Sequence, residues 1–447
     1  MALLEAPFAI QQGAAGVPQN SRETLINMFA EQGSGRASIM RRQRPGIVRE
    51  ATVAGEKRGI ARFTHGHYFV SRDKLYKFDG TTVTTLGSLD TQAGRCTFIS
   101  DDNDNVAVSD GSKLYHWDGS TLTKPTTPTT VGTVAFQGGF GIYNEPNTGR
   151  FYVSALNDLT SWDALDFATA EGNADAINRV LVDHNEVWFF GDRSVEIWRN
   201  SGNADFPFQP NTAMERGCLA PFSIAADDNT IFWLGDDKIV YRADGYRPAR
   251  ISTHAVEEQI MDLAHPTNAE AFIYTFRGHK FYTLRFPGEL TLQFNIATGL
   301  WNRAKTYGVE DWQIIGNAKA TDYYLIPTGV ASLDKTVNTD DSEVMERIGI
   351  SASVTNNGEP FTVNALILEA EMGQVAVGAD DPQVTLEISR DGETWGNARQ
   401  RGLGQAGDFN RRAVWRNLGR SRQMTARFTV TDDVAFNVMA IRGDVEA

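Results

Sequence analysis

From about residue 55 the chain sets apolar and polar side chains in short runs, each closed by a turn signal. The aromatic and β-branched runs His67–Val70, Val187–Phe190, Ile231–Leu234, Ala271–Phe276, Lys280–Phe286 and Tyr323–Ile326 have the length and composition of strands. Asp79-Gly80, Asp110-Gly111, Asp118-Gly119 and Asp244-Gly245 are the strongest turns, because glycine reaches positive φ without steric cost. One run recurs. Lys74-Leu75-Tyr76-Lys77-Phe78-Asp79-Gly80 returns 39 residues later as Lys113-Leu114-Tyr115-His116-Trp117-Asp118-Gly119, and more loosely as Lys238-Ile239-Val240-Tyr241-Arg242-Ala243-Asp244-Gly245. A four-stranded sheet cannot bury both its faces alone, so a strand repeat near 40 residues predicts propeller blades stacked on one another. The rhythm lasts to about residue 345, which accommodates six or seven blades at roughly 40 to 45 residues each.

On either side the texture changes. Gly13, Gly16, Pro18, Gly33, Gly35, Pro45 and Gly46 punctuate residues 1–50, which predicts an extended, irregular arm with at most a short helix over Arg22–Ala30. After Arg347 longer strands follow, at Ile348–Thr355, Val363–Met372, Gln383–Ser389, Met424–Thr431 and Phe436–Arg442, spaced as in a small sandwich. The expected fold is therefore all-β. It consists of an N-terminal arm (1–50), a six- or seven-bladed β-propeller (51–345) and a C-terminal antiparallel β-sandwich (346–447). A chain of 447 residues exceeds the usual size of a single core, in keeping with two units.

Charge sharpens the picture. The net charge is −14, yet residues 1–50 carry six Arg against four acidic residues, and 347–447 carry eleven Arg and no Lys against thirteen. The negative excess thus lies between 51 and 346. That field argues against a sequence-independent nucleic-acid clamp, whose phosphate contacts need Lys and Arg, and suits a surface past which DNA slides. No apolar run reaches eighteen residues and Glu5 stands near the start, so neither a membrane anchor nor a secretory signal is expected. Cys96 and Cys218 lie in no metal-ligand spacing and read as reduced, packed thiols.

The candidate chemistry is thin. His65-Gly66-His67 would place two imidazoles on one strand face, but no third metal ligand can be named. The pairs Asp101-Asp102, Asp227-Asp228, Asp236-Asp237, Asp340-Asp341, Asp380-Asp381 and Asp432-Asp433 point to opposite faces of an extended chain and read as solvated loop tips. Ser389-Arg390-Asp391-Gly392-Glu393-Thr394-Trp395 is similar to a sialidase-type Asp-box turn with one residue missing, and a hairpin explains it. No phosphate loop, nucleophile elbow or zinc motif occurs. The expectation is no enzyme, no catalytic residue, no metal and no cofactor. One cluster asks for a partner: Arg399, Arg401, Arg411, Arg412, Arg416, Arg420, Arg422 and Arg427. Arginine without lysine suits planar pairing with carboxylates at a protein interface. A rival reading is a carbohydrate-binding or glycan-active propeller, with Trp117, Trp162, Trp188 and Trp301 stacking on sugars.

Two stretches carry a family resemblance. Leu25-Ile26-Asn27-Met28-Phe29-Ala30-Glu31, followed by Arg44-Pro45-Gly46, resembles the opening of the packaged-DNA stabilisation (tail hub, or nozzle) proteins of short-tailed bacteriophages. Val414-Trp415-Arg416-Asn417-Leu418-Gly419-Arg420-Ser421-Arg422 resembles their closing Trp-x-x-x-Gly-x-x-Arg element. The resemblance implies a structural virion protein of the tail, assembled in the bacterial host cytoplasm. It implies a homo-oligomeric ring, six subunits being the expected number, that sits below the portal and adaptor and closes the DNA exit channel. Its implied partners are the head-to-tail adaptor, the tail needle and the tailspikes. Double-stranded DNA passes through without specific binding. The residues facing the lumen are not indicated.

Overall fold

The computed structural model describes residues 4–5, 23–33, 39–170, 172, 175–227, 229–317 and 323–446. Six meanders of four antiparallel strands follow one another from Lys57. Blades 1 to 6 begin with Lys57–Phe63, Thr97–Ser100, Val134–Gln137, Ile177–Asp183, Ala225–Asp227 and Glu270–Phe276. Blade 7 holds Gly316–Asn317, Tyr323–Ile326 and Gly329–Asp334, and takes its outer strand from Gly46–Thr52 far upstream. Of the six or seven blades expected, the described residues form seven. The first strands of blades 1 to 4, 6 and 7 line a central channel, and the 3-10 turn Pro221–Ser223, which touches blades 4, 5 and 6, completes the circle.

The sequence repeat marks one position in the blade. Lys74–Phe78, Leu114–Trp117 and Val240–Asp244 are the third strands of blades 1, 2 and 5. In the two close copies the aspartate folds the following turn by itself. Asp79 Oδ1 accepts from the amides of Thr81 (2.9 Å) and Thr82 (2.8 Å), and Asp118 Oδ1 from those of Ser120 (2.8 Å) and Thr121 (2.7 Å). These bonds favour the charged form and hold the Asp118 carboxyl at about 2, the Thr121 amide contributing most. Between blades the packing is aromatic: Phe151 stacks on Phe189 at 4.2 Å, Phe232 on Tyr282 at 5.1 Å, and Tyr323 meets Phe78 edge-on at 5.1 Å.

The sandwich comprises two sheets. One runs Arg347–Ile350, Gln423–Val430, Gln383–Ser389, Arg399–Gly402; the other runs Val438–Glu446, Phe361–Ala370, Ala413–Ser421. Between them lie fully buried Leu368, Val384, Leu386, Trp415, Phe428, Val430 and Val438. The arm 1–50, expected to be irregular with a short helix over 22–30, is instead mostly strand where it is described from Glu23 on. Thr24–Ile26 lies between the last strand of blade 6 (Ile26 against Arg303, parallel) and Arg347–Ile350 (antiparallel), so one sheet runs from propeller into sandwich. Met28–Gln32 and Ile39–Gln43 form a hairpin that extends the other sandwich sheet through Arg41 and Val438. Leu25, Met28 and Ala30 enter the sandwich core. Two waiting strand edges outweigh local helix preference here. Residues 1–3, 6–22 and 34–38 of the expected arm lie outside the described residues.

Both thiols are buried and burial pushes each up to about 12, so neither presents a thiolate near neutrality. Native protein should be inert to a thiol-reactive dye at pH 8, and two thiols should react once denaturant is added. Rapid labelling of the folded chain would contradict this placement.

Candidate functional site

The arginine cluster forms around the two strands at one edge of the sandwich, and its members divide into two groups. Arg399–Gly402 ends one sheet and Ala413–Ser421 ends the other, and these edge strands touch. An unpaired strand edge leaves carbonyls without donors. Arg399 Nη1 donates to the carbonyls of Arg416 (3.3 Å) and Asn417 (3.4 Å), and Arg401 Nε to that of Val414 (2.9 Å). In return Trp415 Nε1 donates to the Arg399 carbonyl at 2.8 Å. Arg399 and Arg401 thus close the sandwich edge with side chains in place of a ladder. Arg411 pairs with Asp381 at 3.0 Å and Asp408 at 3.7 Å, while Arg427 pairs with Glu387 at 2.6 Å and lies 4.3 Å from the ring centre of Trp395.

Arg412, Arg416, Arg420 and Arg422 are exposed and make no ion pair or hydrogen bond through their side chains with a described residue. The backbone sets their direction. Ala413 and Trp415 face the core; a bulge then shifts the pairing, so that Val363 meets Gly419 while Ala365 meets Arg416. Asn417 (φ 58°) and Gly419 (φ 87°) adopt the left-handed conformations that the bulge requires. Leu418 becomes the buried residue, and Arg416, Arg420 and Arg422 all point to solvent. The chemistry on offer is four exposed guanidinium groups on and beside the strand Ala413–Ser421, suited to carboxylates on another surface.

The opening motif has a structural meaning that spacing alone did not reveal. Asn27 is fully buried at φ 59°. Its Nδ2 donates to the carbonyls of Lys305 (2.9 Å) and Glu346 (2.7 Å), and its Oδ1 accepts from Arg44 Nε and the Lys305 amide, both at 2.9 Å. Arg44 in turn grips Asp340 through both terminal nitrogens, 2.8 Å for Nη1, with its guanidinium 4.7 Å from the ring centre of Trp312. Gly46 is required by proximity, since a Cβ there would stand 2.4 Å from the Val337 carbonyl oxygen. Asp340, read from sequence as part of a solvated pair, is the buried partner of Arg44.

The remaining candidates separate. His65 is exposed in a turn, 3.6 Å from Asp104, whereas His67 is buried in the strand Gly66–Ser71 against Tyr323; the two do not share a face as expected. No group of three His, Cys, Asp or Glu fit to hold a metal occurs among the described residues. The Ser389–Trp395 turn belongs to a sandwich hairpin, with Asp391 Oδ1 accepting from the Glu393 and Thr394 amides. Trp162, Trp188 and Trp301 are buried between blade elements and Trp117 is half-buried, which withdraws three of the four sugar-stacking platforms.

Two families match the chain in succession. Residues 12–343 match "Bacteriophage P22 Gp10, beta-propeller" and residues 346–446 match "Bacteriophage P22 Gp10, beta-sandwich". The chain belongs to the P22 Gp10 family. As a member of that family it is a structural, DNA-stabilising component of a multi-subunit phage tail. Among curated proteins none matches. Similar solved structures include PorZ of the type-IX secretion system of Porphyromonas gingivalis, at 11% identity and TM-score 0.38, covering 72% of this chain and 44% of that one. BamB from Moraxella catarrhalis is 12% identical with TM-score 0.40, covering 68% and 97% of the two chains. The exo-beta-1,3-galactanase of Phanerochaete chrysosporium is 10% identical with TM-score 0.31, covering 87% and 96%. Among the described residues no helix is long and apolar enough to cross a membrane.

Proposed function

We propose that the chain is the hub subunit of a short phage tail. It forms a homo-oligomeric ring of six below the portal and adaptor, closes the DNA exit channel, retains packaged DNA and conducts it at ejection. Its other partners are the tail needle and tailspikes, and its division of labour follows arm (1–50), propeller (51–345) and sandwich (346–447). The role is mechanical and electrostatic, with no catalysis. The observation that carries this reading is the match to both Gp10 domains in order, from residue 12 to residue 446.

Two physical features support it. A net charge of −14, concentrated in the propeller segment, keeps a polyanion from sticking to the wall it passes. The basic sandwich edge is complementary to that acidic surface, so one copy's edge against the next copy's propeller makes a heterologous contact of the kind that closes rings. Native mass measurement on chain mixed with purified portal–adaptor complex tests the reading. The expected product is a discrete ring of six copies of this chain on each complex. A monomer that does not associate with that complex would rule the hub role out.

A further inference from the structure

The channel at the centre of the propeller encloses about 380 Å³ and is walled largely by apolar residues of the first strands. Two arginines interrupt that wall. Arg95 precedes the first strand of blade 2, and Arg179 lies in that of blade 4. Both guanidinium groups lie against Phe222, at 5.8 and 5.4 Å from its ring centre. Arg95 Nη2 donates to the Ile315 carbonyl at 3.2 Å, while its Nε and Nη1 are buried without a hydrogen-bond acceptor among the described residues. Arg179 Nη1 donates to the carbonyls of Pro221 (2.8 Å) and Ile224 (3.3 Å), and its buried Nε also lacks an acceptor. Burial, with Arg95 nearby, lowers Arg179 to about 10.

The local carboxylates neutralise the pair only in part, and only at Arg95. Glu270 stands 3.6 Å from Arg95 but already binds Arg285 at 3.1 Å, and Asp311 binds Arg285 at 2.7 Å. Glu270 is thus shared between Arg95 and Arg285, and no carboxylate among the described residues pairs with Arg179. A buried charge lacking both partner and donor satisfaction is costly, and a bound anion would supply both.

We propose that the propeller channel is a binding site for one small oxyanion, phosphate or carboxylate, held by Arg95 and Arg179 beside Phe222. This is independent of the tail assignment, because the site lies within a single protomer and is tested on the purified full-length chain. Calorimetric titration with inorganic phosphate, and separately with acetate, at constant ionic strength should give one site per chain; the tighter of the two identifies the anion class. Arg179→Met should weaken binding at least tenfold. Glu270→Gln, which removes the competing carboxylate, should strengthen it. A second readout is the melting temperature, which should rise with the preferred anion in wild type and not in Arg179→Met; Arg95→Met serves in its place if that variant does not fold. Absence of binding by both anions, or binding unchanged in both arginine variants, overturns the proposal.

Discussion

Replacing Asp340 by Ala is expected to destabilise the protein by about 3–5 kcal/mol, the usual effect of stranding one member of a buried ion pair. Both side chains of the Arg44–Asp340 pair are only 1% exposed, so solvent cannot take over the lost partner. Arg347 is buried nearby; burial and the Arg44 charge lower it to about 10 against the pull of Asp433, Asp432 and Asp340, so losing Asp340 leaves both arginines less compensated. The damage should not stay local. Arg44 orients Asn27, which binds the backbone at 303, 305 and 346, and the same segment supplies the outer strand of blade 7. Propeller closure and the propeller–sandwich join should loosen together, visible as a lower urea midpoint by both tryptophan fluorescence and circular dichroism. Replacing both charges, Arg44→Met with Asp340→Leu, should cost much less than the single change, because no charge is left stranded. A single variant within about 1 kcal/mol of wild type would show that the pair does not hold the junction.

The parts of the fold written in local pattern were legible. The repeat at 74–80 and 113–119 was readable because each copy combines an alternating strand with a carboxylate that builds its own turn. Blade number was not, because an inner strand can be too short to leave a pattern: Ala225–Asp227 has three residues. Blade 7 also borrows Gly46–Thr52 from nearly three hundred residues upstream, and no local signal announces such a pairing. Residues 24–26 misled for the same reason, since their strand partners at 303 and 350 are distant in sequence. At the candidate site, composition identified the arginines but not their division of labour. Arg399 and Arg401 bind carbonyls of a strand edge, where sequence reasoning had looked for carboxylates. Arg95 and Arg179, lone arginines in apolar surroundings, were not singled out at all; only the closed ring brings both to Phe222.

That division decides how the interface should be tested. Changing Arg412, Arg416, Arg420 and Arg422 together to Glu is expected to abolish incorporation of the chain into tails, with circular dichroism and melting temperature close to wild type. These four side chains bind no described residue, so the folded protomer loses little when they are reversed. A single exposed ion pair contributes only about 0–1 kcal/mol, which is why one alanine is too weak a test; four reversals turn attraction into repulsion across the contact. Arg399→Glu with Arg401→Glu provides the contrast. It should weaken the protomer itself, because the carbonyls of Val414, Arg416 and Asn417 lose their donors. If the fourfold variant assembles and the particles retain DNA, the interface lies elsewhere. If it assembles but the particles leak DNA, the arginines face the DNA path, and the acidic propeller belongs on the outside of the ring.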